Sequence, residues 1–158
     1  MNNSEKLRLN EVAIRLNVSR SEWEPALEQA EPDVTVGIRH AVLSGNEDWR
    51  IHVAAIPQKV GCHYHQYGDE TYEVVQGKGT LHFGKVVLSG NLPEVAWEIP
   101  LGVASGDCFV VPEGYAHQLQ RRGTENLTIL FACPDSHIDD KGDRHHLLDS
   151  PHLSVAAL

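Results

Sequence analysis

Nine short runs rich in Val, Ile, Thr and aromatic residues constrain the fold of this chain more than any other feature. Each run is bounded by Gly, Pro, Asn or Asp, which favour turns. The runs span residues 34–43, 49–56, 62–65, 71–75, 79–84, 96–99, 108–111, 117–120 and 126–132. So many short strands at this spacing predict an all-β sandwich or barrel, which we assign to residues 34–134.

The segments on either side of this region have a different character. Residues 1–33 form an N-terminal arm, in which Ser21 and Glu24 predict a capping box and the residues after them have helical spacing. We therefore expect one short helix there. Residues 135–158 are polar and lose strand periodicity, which predicts a surface tail with one helical turn. At 158 residues the chain can bury one core, so we expect a single barrel domain.

The charge and the cysteines limit the partners and the compartment. The chain has 13 Lys and Arg against 22 Asp and Glu, a formal net charge of −9 that repels nucleic acid and anionic membranes. A small-molecule partner is the better hypothesis. The odd number of cysteines, without a CxxC unit, indicates reduced thiols, and no apolar run reaches signal-peptide or membrane-span length. We expect a cytoplasmic protein.

The segment 61–79 brings together three metal-ligating side chains. His63 and His65 are two residues apart in a strand, so both imidazoles project from one face. The Tyr67-Gly68-Asp69 turn lets the chain double back, so that Glu70 faces the same point. This arrangement predicts a chelating site.

The segment 106–121 supplies a fourth ligand. Pro112 and Gly114 mark a turn that leads His117 into a new strand. Three imidazoles and one carboxylate can hold one divalent transition metal, such as Zn, Mn, Fe, Co, Ni or Cu, with one or two positions left open.

The two segments resemble the paired motifs of the cupin superfamily, in which Gly, HxH, Glu and Gly precede Gly, PxG, His and usually Asn. The resemblance covers residues 50–132 and implies a single-domain cupin, a double-stranded β-helix (jelly-roll) barrel. It also implies one metal ion bound by His63, His65, Glu70 and His117. Two positions depart from the pattern: Gly61 lies closer to the HxH pair than usual, and Arg121 replaces the final Asn.

Arg121 is a candidate substrate-binding residue. It shares strand parity with His117, so an unbroken strand would point its guanidinium inward, where a cation would favour an anionic ligand. The alternative is that the strand ends at Gln120 and that Arg121 joins Arg122 in solvent.

Tyr72 and His82 are the other pocket candidates. Tyr72 has the parity of Glu70 and could bind substrate or relay a proton, or it could only pack. His82 and Phe83 lie on opposite faces of one strand, and the simplest arrangement puts Phe83 in the core and His82 at the rim.

These residues support three functional hypotheses. The first is a metal-dependent enzyme acting on a small oxygenated metabolite, such as a sugar or sugar-phosphate isomerase, with Glu70, Tyr72 or His82 as the base. The second is a metal-dependent dioxygenase. The third is a non-catalytic cupin that binds a small molecule. Exposed barrel edges lead us to expect a homodimer.

Overall fold

The computed structural model describes residues 15–153, which form one α-helix and twelve β-strands in two antiparallel sheets. The helix, α1, spans Arg20–Glu28. The strands are β1 (Pro32–Asp33), β2 (Ile38–Asn46), β3 (Trp49–Ile56), β4 (His63–Tyr64), β5 (Glu70–Gln76), β6 (Lys78–Ser89), β7 (Leu92–Trp97), β8 (Leu101–Ala104), β9 (Cys108–Val111), β10 (Tyr115–Arg122), β11 (Leu127–Cys133) and β12 (His145–His146). None of the described helices is long and apolar enough to cross a membrane.

The two sheets enclose the main hydrophobic core. The first sheet has the order β1-β2-β3-β11-β5-β9 and the second the order β12-β4-β10-β6-β7, with β8 also paired to β6. Their inner faces bury a cluster of branched aliphatic and aromatic side chains, including Ile56, Leu81, Phe83, Phe109 and Leu127. The architecture is the predicted all-β jelly-roll barrel with a short N-terminal helix.

Helix α1 covers the outer face of the first sheet. Its buried Trp23 packs in a second cluster with residues such as Val53 and Leu130. The predicted helix is confirmed, but the predicted capping box is wrong. The N-cap is Ser19, so Ser21 lies in the first turn, and its hydroxyl is 2.9 Å from that of Ser19.

The strands follow the predicted runs with shifted ends. The runs 49–56 and 108–111 match β3 and β9, whereas β2 begins at Ile38 instead of residue 34. A turn occupies the intervening residues. It is closed by Asp33, whose carboxylate accepts the Thr35 N–H at 3.1 Å and whose carbonyl accepts the Gly37 N–H at 2.9 Å.

The segment after β11 is not a surface tail, which corrects the prediction for residues 135–153. A 3₁₀ turn at Asp135–His137 supplies the expected helical turn, but His137, Asp143 and Arg144 are buried and β12 pairs with β4. Residues 1–14 of the predicted arm and residues 154–158 lie outside the described residues. The predicted domain boundaries remain a prediction.

Candidate metal centre

Three buried imidazoles meet inside the barrel. His63 on β4 pairs directly with His117 on β10, and His65 follows β4 on the same face. The ring centroids are 4.4 Å apart for His63 and His117, 5.0 Å for His63 and His65, and 5.3 Å for His65 and His117. One nitrogen from each ring lies within 4.8 Å of the others, a spacing at which one metal ion can contact all three.

Each of these imidazoles has one nitrogen fixed by the backbone. The Nδ1 atoms of His63, His65 and His117 face the carbonyl oxygens of Gly61, Asp143 and Tyr115, at 2.7, 2.6 and 3.1 Å. A carbonyl oxygen can only accept, so each Nδ1 donates a proton and each Nε2 keeps its lone pair in the neutral ring. Among the described residues, Nε2 of His65 and of His117 is buried without a hydrogen-bond partner. Such orphaned lone pairs, on rings that backbone carbonyls orient from the opposite side, fit metal ligation.

Burial keeps two of these rings in the form that binds metal. Desolvation lowers the pKa of His63 well below its ordinary value, and the charges of His117 and His65 lower it further. Desolvation likewise lowers the pKa of His65. Metal ions bind the neutral imidazole, so both residues are ready to act as ligands at neutral pH.

Glu70 supplies the carboxylate. It begins β5, is 3% exposed, and places Oε1 3.2 Å from His65 Nε2 and Oε2 3.3 Å from His117 Nε2. The Tyr72 hydroxyl donates to Oε2. Burial raises the pKa of Glu70, but the neighbouring imidazoles of His65, His117 and His137 outweigh it and hold the pKa well below its usual range. Glu70 is therefore an anion among the imidazoles.

Two interlocked turns bring the motifs together. Gly68 has φ of +86°, a left-handed conformation that glycine adopts without strain, and its N–H donates to Glu113 Oε2 at 3.2 Å. The Glu113 N–H donates to Asp69 Oδ1 at 2.9 Å, and the Gly114 N–H donates to the His65 carbonyl at 2.7 Å. These bonds join the turn before Glu70 to the turn before His117.

His137 is a further residue of the centre, which the sequence reasoning missed. It stacks on His65 with ring centroids 3.8 Å apart and an interplanar angle of 2°. Its Nδ1 is 3.2 Å from Glu70 Oε1, and its Nε2 is 2.6 Å from the Tyr67 carbonyl oxygen. Burial lowers the pKa of His137, but the hydrogen bond to Glu70 and the charge of Glu70 raise it above its ordinary value. His65, Glu70 and His137 also form a second group close enough to hold an ion.

A small cavity of about 50 Å³ lies against the centre. Its polar lining includes His63, Glu70, Tyr72, His117 and His137. Its other walls are mostly aliphatic and aromatic: Val36, Ile38, Val60, Leu119, Ile129, Phe131 and Ile138. Arg144 completes the lining, with Nη1 3.1 Å from Asp33 Oδ2 and Nε 2.5 Å from Asp140 Oδ1.

Arg121 does not line this cavity, although its strand parity predicted an inward guanidinium, and its role in substrate binding stays a prediction. It is opposite Gly79 near the end of β10, and its Nη1 contacts Asn126 Oδ1 at 3.5 Å in an exposed hydrogen bond. It lies four positions along the strand from His117, a distance of about 13 Å at the usual rise per residue. Strand parity alone therefore did not predict whether Arg121 contacts the cavity, since the cavity does not extend that far along β10.

His82 also lies away from the cavity, and its role as a substrate-binding residue stays a prediction. It pairs with Gln118, while Phe83 pairs with His117 and packs in the core, as the simplest arrangement required. The His82 Nε2 atom is 3.0 Å from Gln120 Oε1 on the outer face of the second sheet. Tyr72, in contrast, does line the cavity beside Glu70.

Comparisons with known proteins identify the architecture. No protein-family model matches the sequence, and no curated protein matches it. A Klebsiella pneumoniae protein with a double-stranded β-helix domain is similar in structure, with a TM-score of 0.56, 17% identity, and coverage of 86% of this chain and 100% of that one.

Two hydroquinone 1,2-dioxygenases are also similar in structure. The enzyme from Sphingomonas sp. TTNP3, solved with 4-hydroxybenzoate, has a TM-score of 0.54 and 16% identity over 68% of each chain. PnpCD, solved with Cd²⁺ and 4-hydroxybenzonitrile, has a TM-score of 0.57 and 16% identity over 81% of this chain and 82% of that one. At these identities the likeness shows the shared fold alone.

Proposed function

We propose that this chain, which has the cupin fold, is a metal-dependent dioxygenase acting on a small, largely apolar compound that carries oxygen substituents. The observation that carries the proposal is the pair of orphaned Nε2 atoms on His65 and His117, which lie beside the ionised Glu70. Glu70 and His117 also line a mostly apolar cavity.

The proposed ligands are His63, His65, Glu70 and His117. A divalent transition metal held by three imidazoles and one carboxylate has open positions that bind substrate oxygens or O₂. The chain orients the ligands through the three backbone carbonyls and through the Tyr72 hydroxyl, which fixes the Glu70 carboxylate. Tyr72 is thus a positioning residue in this proposal, and we assign it no proton transfer.

The cavity walls favour oxygenation over sugar isomerisation. A polyhydroxylated substrate needs a hydrogen-bond partner for each buried hydroxyl, because an unpaired one costs about 1–3 kcal/mol. The polar side chains near the wall are already engaged, Tyr72 with Glu70 and Arg144 with Asp33 and Asp140. The small volume admits only the reacting end of a compact molecule.

The proposed reaction balances without a further reductant. A dioxygenase transfers both atoms of O₂ to an organic substrate, so the four electrons that reduce O₂ come from the substrate whose bond is cleaved. The mostly apolar wall disfavours bulk water beside the reacting end. Two structures with the same fold belong to hydroquinone 1,2-dioxygenases, so the fold accommodates chemistry of this class.

Oxygen uptake tests the proposal. The purified chain, reconstituted without oxygen with Fe(II) or another divalent metal, is given air and a panel of catechols, hydroquinones, diketones and sugar phosphates. We expect stoichiometric O₂ uptake with a member of the first three classes, lost in His117→Ala and retained in the control His152→Ala. Isomerisation of a sugar phosphate, or tight binding without turnover of any compound, would refute the dioxygenase.

A further inference from the structure

We infer that His137 is a positioning residue for the metal centre, through which the segment of residues 134–146 controls metal affinity. The inference rests on the metal site of the proposed function and adds a residue that the four-ligand motif does not contain. His137 is 1% exposed and contacts both Glu70 and His65.

The hydrogen-bond partners of His137 indicate positioning and not ligation. Its Nε2 faces the Tyr67 carbonyl oxygen and its Nδ1 faces the Glu70 carboxylate, and both of these groups accept. Both ring nitrogens therefore act as donors, whereas His65 and His117 each keep one nitrogen without a partner among the described residues. His137 does not belong to the group of three imidazoles, and in its own group with His65 and Glu70 its Nδ1 is already bonded to the carboxylate.

His137 restricts Glu70 and His65 at the same time. Its Nδ1 donates to Oε1 of Glu70, and the Tyr72 hydroxyl donates to Oε2, so the carboxylate is fixed at both oxygens. Its ring stacks on His65, which limits rotation of that imidazole.

Asp143 anchors the other end of the segment to the same loop. Its carbonyl accepts from His65 Nδ1 at 2.6 Å, and its carboxylate accepts the N–H groups of Gln66 and Tyr67, each at 2.8 Å. Residues 134–146 therefore hold the ligand loop at His137 and at Asp143. Contacts of this kind, which orient metal ligands without touching the metal, typically contribute 10- to 100-fold to metal affinity.

Competition for Zn(II) against a chromophoric chelator tests the inference. His137→Phe keeps a flat ring to stack on His65 but removes both donors. We expect its Zn(II) affinity to fall by about 10- to 100-fold. The Co(II) absorption bands should shift as the Glu70 carboxylate moves. The matched control His152→Phe changes another histidine of the C-terminal region and should keep wild-type affinity and spectrum. His137→Gln retains one donor and should fall between wild type and His137→Phe, which covers the case in which the phenylalanine variant does not fold.

Three results would overturn the inference. Wild-type affinity and an unchanged Co(II) spectrum in both His137 variants would show that His137 does not position the ligands. A loss of Zn(II) affinity in the His137 variants as large as that in His65→Ala would show that His137 is itself a ligand. A wild-type chain that binds no Zn(II) or Co(II) would remove the metal site itself. A chain that binds metal but consumes no O₂ would refute only the dioxygenase, because the titration does not involve turnover.

Discussion

At the scale of single residues, the buried histidines differ in what their nitrogens face. The three histidines proposed as ligands each have one ring nitrogen bonded to a backbone carbonyl, and His137 faces an acceptor at both nitrogens. His52 is a third kind, because neither of its nitrogens has a hydrogen-bond partner among the described residues. It lies on β3 and stacks on Phe131 with centroids 4.8 Å apart. Its role is therefore to pack, and its neutral form is required.

His52 should make stability depend on pH. Burial, followed by the charge of His40, lowers the pKa of His52 from 6.5 to about 4, so the unfolded chain binds the proton more tightly than the folded chain. The contribution of neutral His52 to the free energy of unfolding is complete above about pH 6.5 and is lost as the pH falls towards 4. At one pKa unit per 1.36 kcal/mol, about 2 kcal/mol disappears between pH 7 and 5.

Urea unfolding of the wild type and of His52→Phe at both pH values measures this contribution. The variant keeps an aromatic ring against Phe131 but has no titrating group. Its unfolding free energy should fall by about 2 kcal/mol less than that of the wild type between pH 7 and 5. Equal losses in the two proteins would show that His52 does not carry the pH dependence.

At the scale of elements, strand periodicity predicted which face of a strand a side chain occupies, but not whether that side chain reaches the cavity. Alternation correctly placed His63, His65 and His117 on one face and Phe83 in the core, because side chains on a strand alternate strictly. It failed for Arg121, since parity says nothing about how far the cavity runs along β10. It could not reach His137, which lies in a 3₁₀ turn where no period of two applies.

The pairing of β6 with β7 requires close approach at Gly84. A Cβ there would lie 2.5 Å from the Ala96 carbonyl oxygen and 2.8 Å from Val95 Cγ1, whereas a Cβ at Gly102 on β8 would meet nothing within 4 Å among the described residues. We expect Gly84→Ala to lower the free energy of unfolding by about 1–3 kcal/mol. The control Gly102→Ala should change it by less than about 0.5 kcal/mol. Chemical denaturation of both variants checks this, and equal effects would contradict the strand packing.

At the scale of the whole molecule, the segment after β11 folds back against the candidate metal centre inside the barrel. The sequence predicted the barrel, and it singled out the four side chains proposed here as ligands, because the relevant signals are local, namely strand runs, turn residues and the HxH spacing. It could not predict that residues 135–153 fold back, because their polar composition is the same whether they face solvent or a buried carboxylate. Asp143 and Arg144 show the difference, as both are charged and both are buried.

Metal stoichiometry tests the central claim most directly. The wild-type chain, stripped of metal and titrated with Zn(II) or Fe(II) under calorimetry, should bind one ion per chain, and binding should raise the melting temperature. His117→Ala should lose this site, while His152→Ala should keep it. A wild-type chain that takes up no divalent transition metal, or a His117→Ala variant that binds as tightly as the wild type, would contradict the convergence of His63, His65, Glu70 and His117 on one ion.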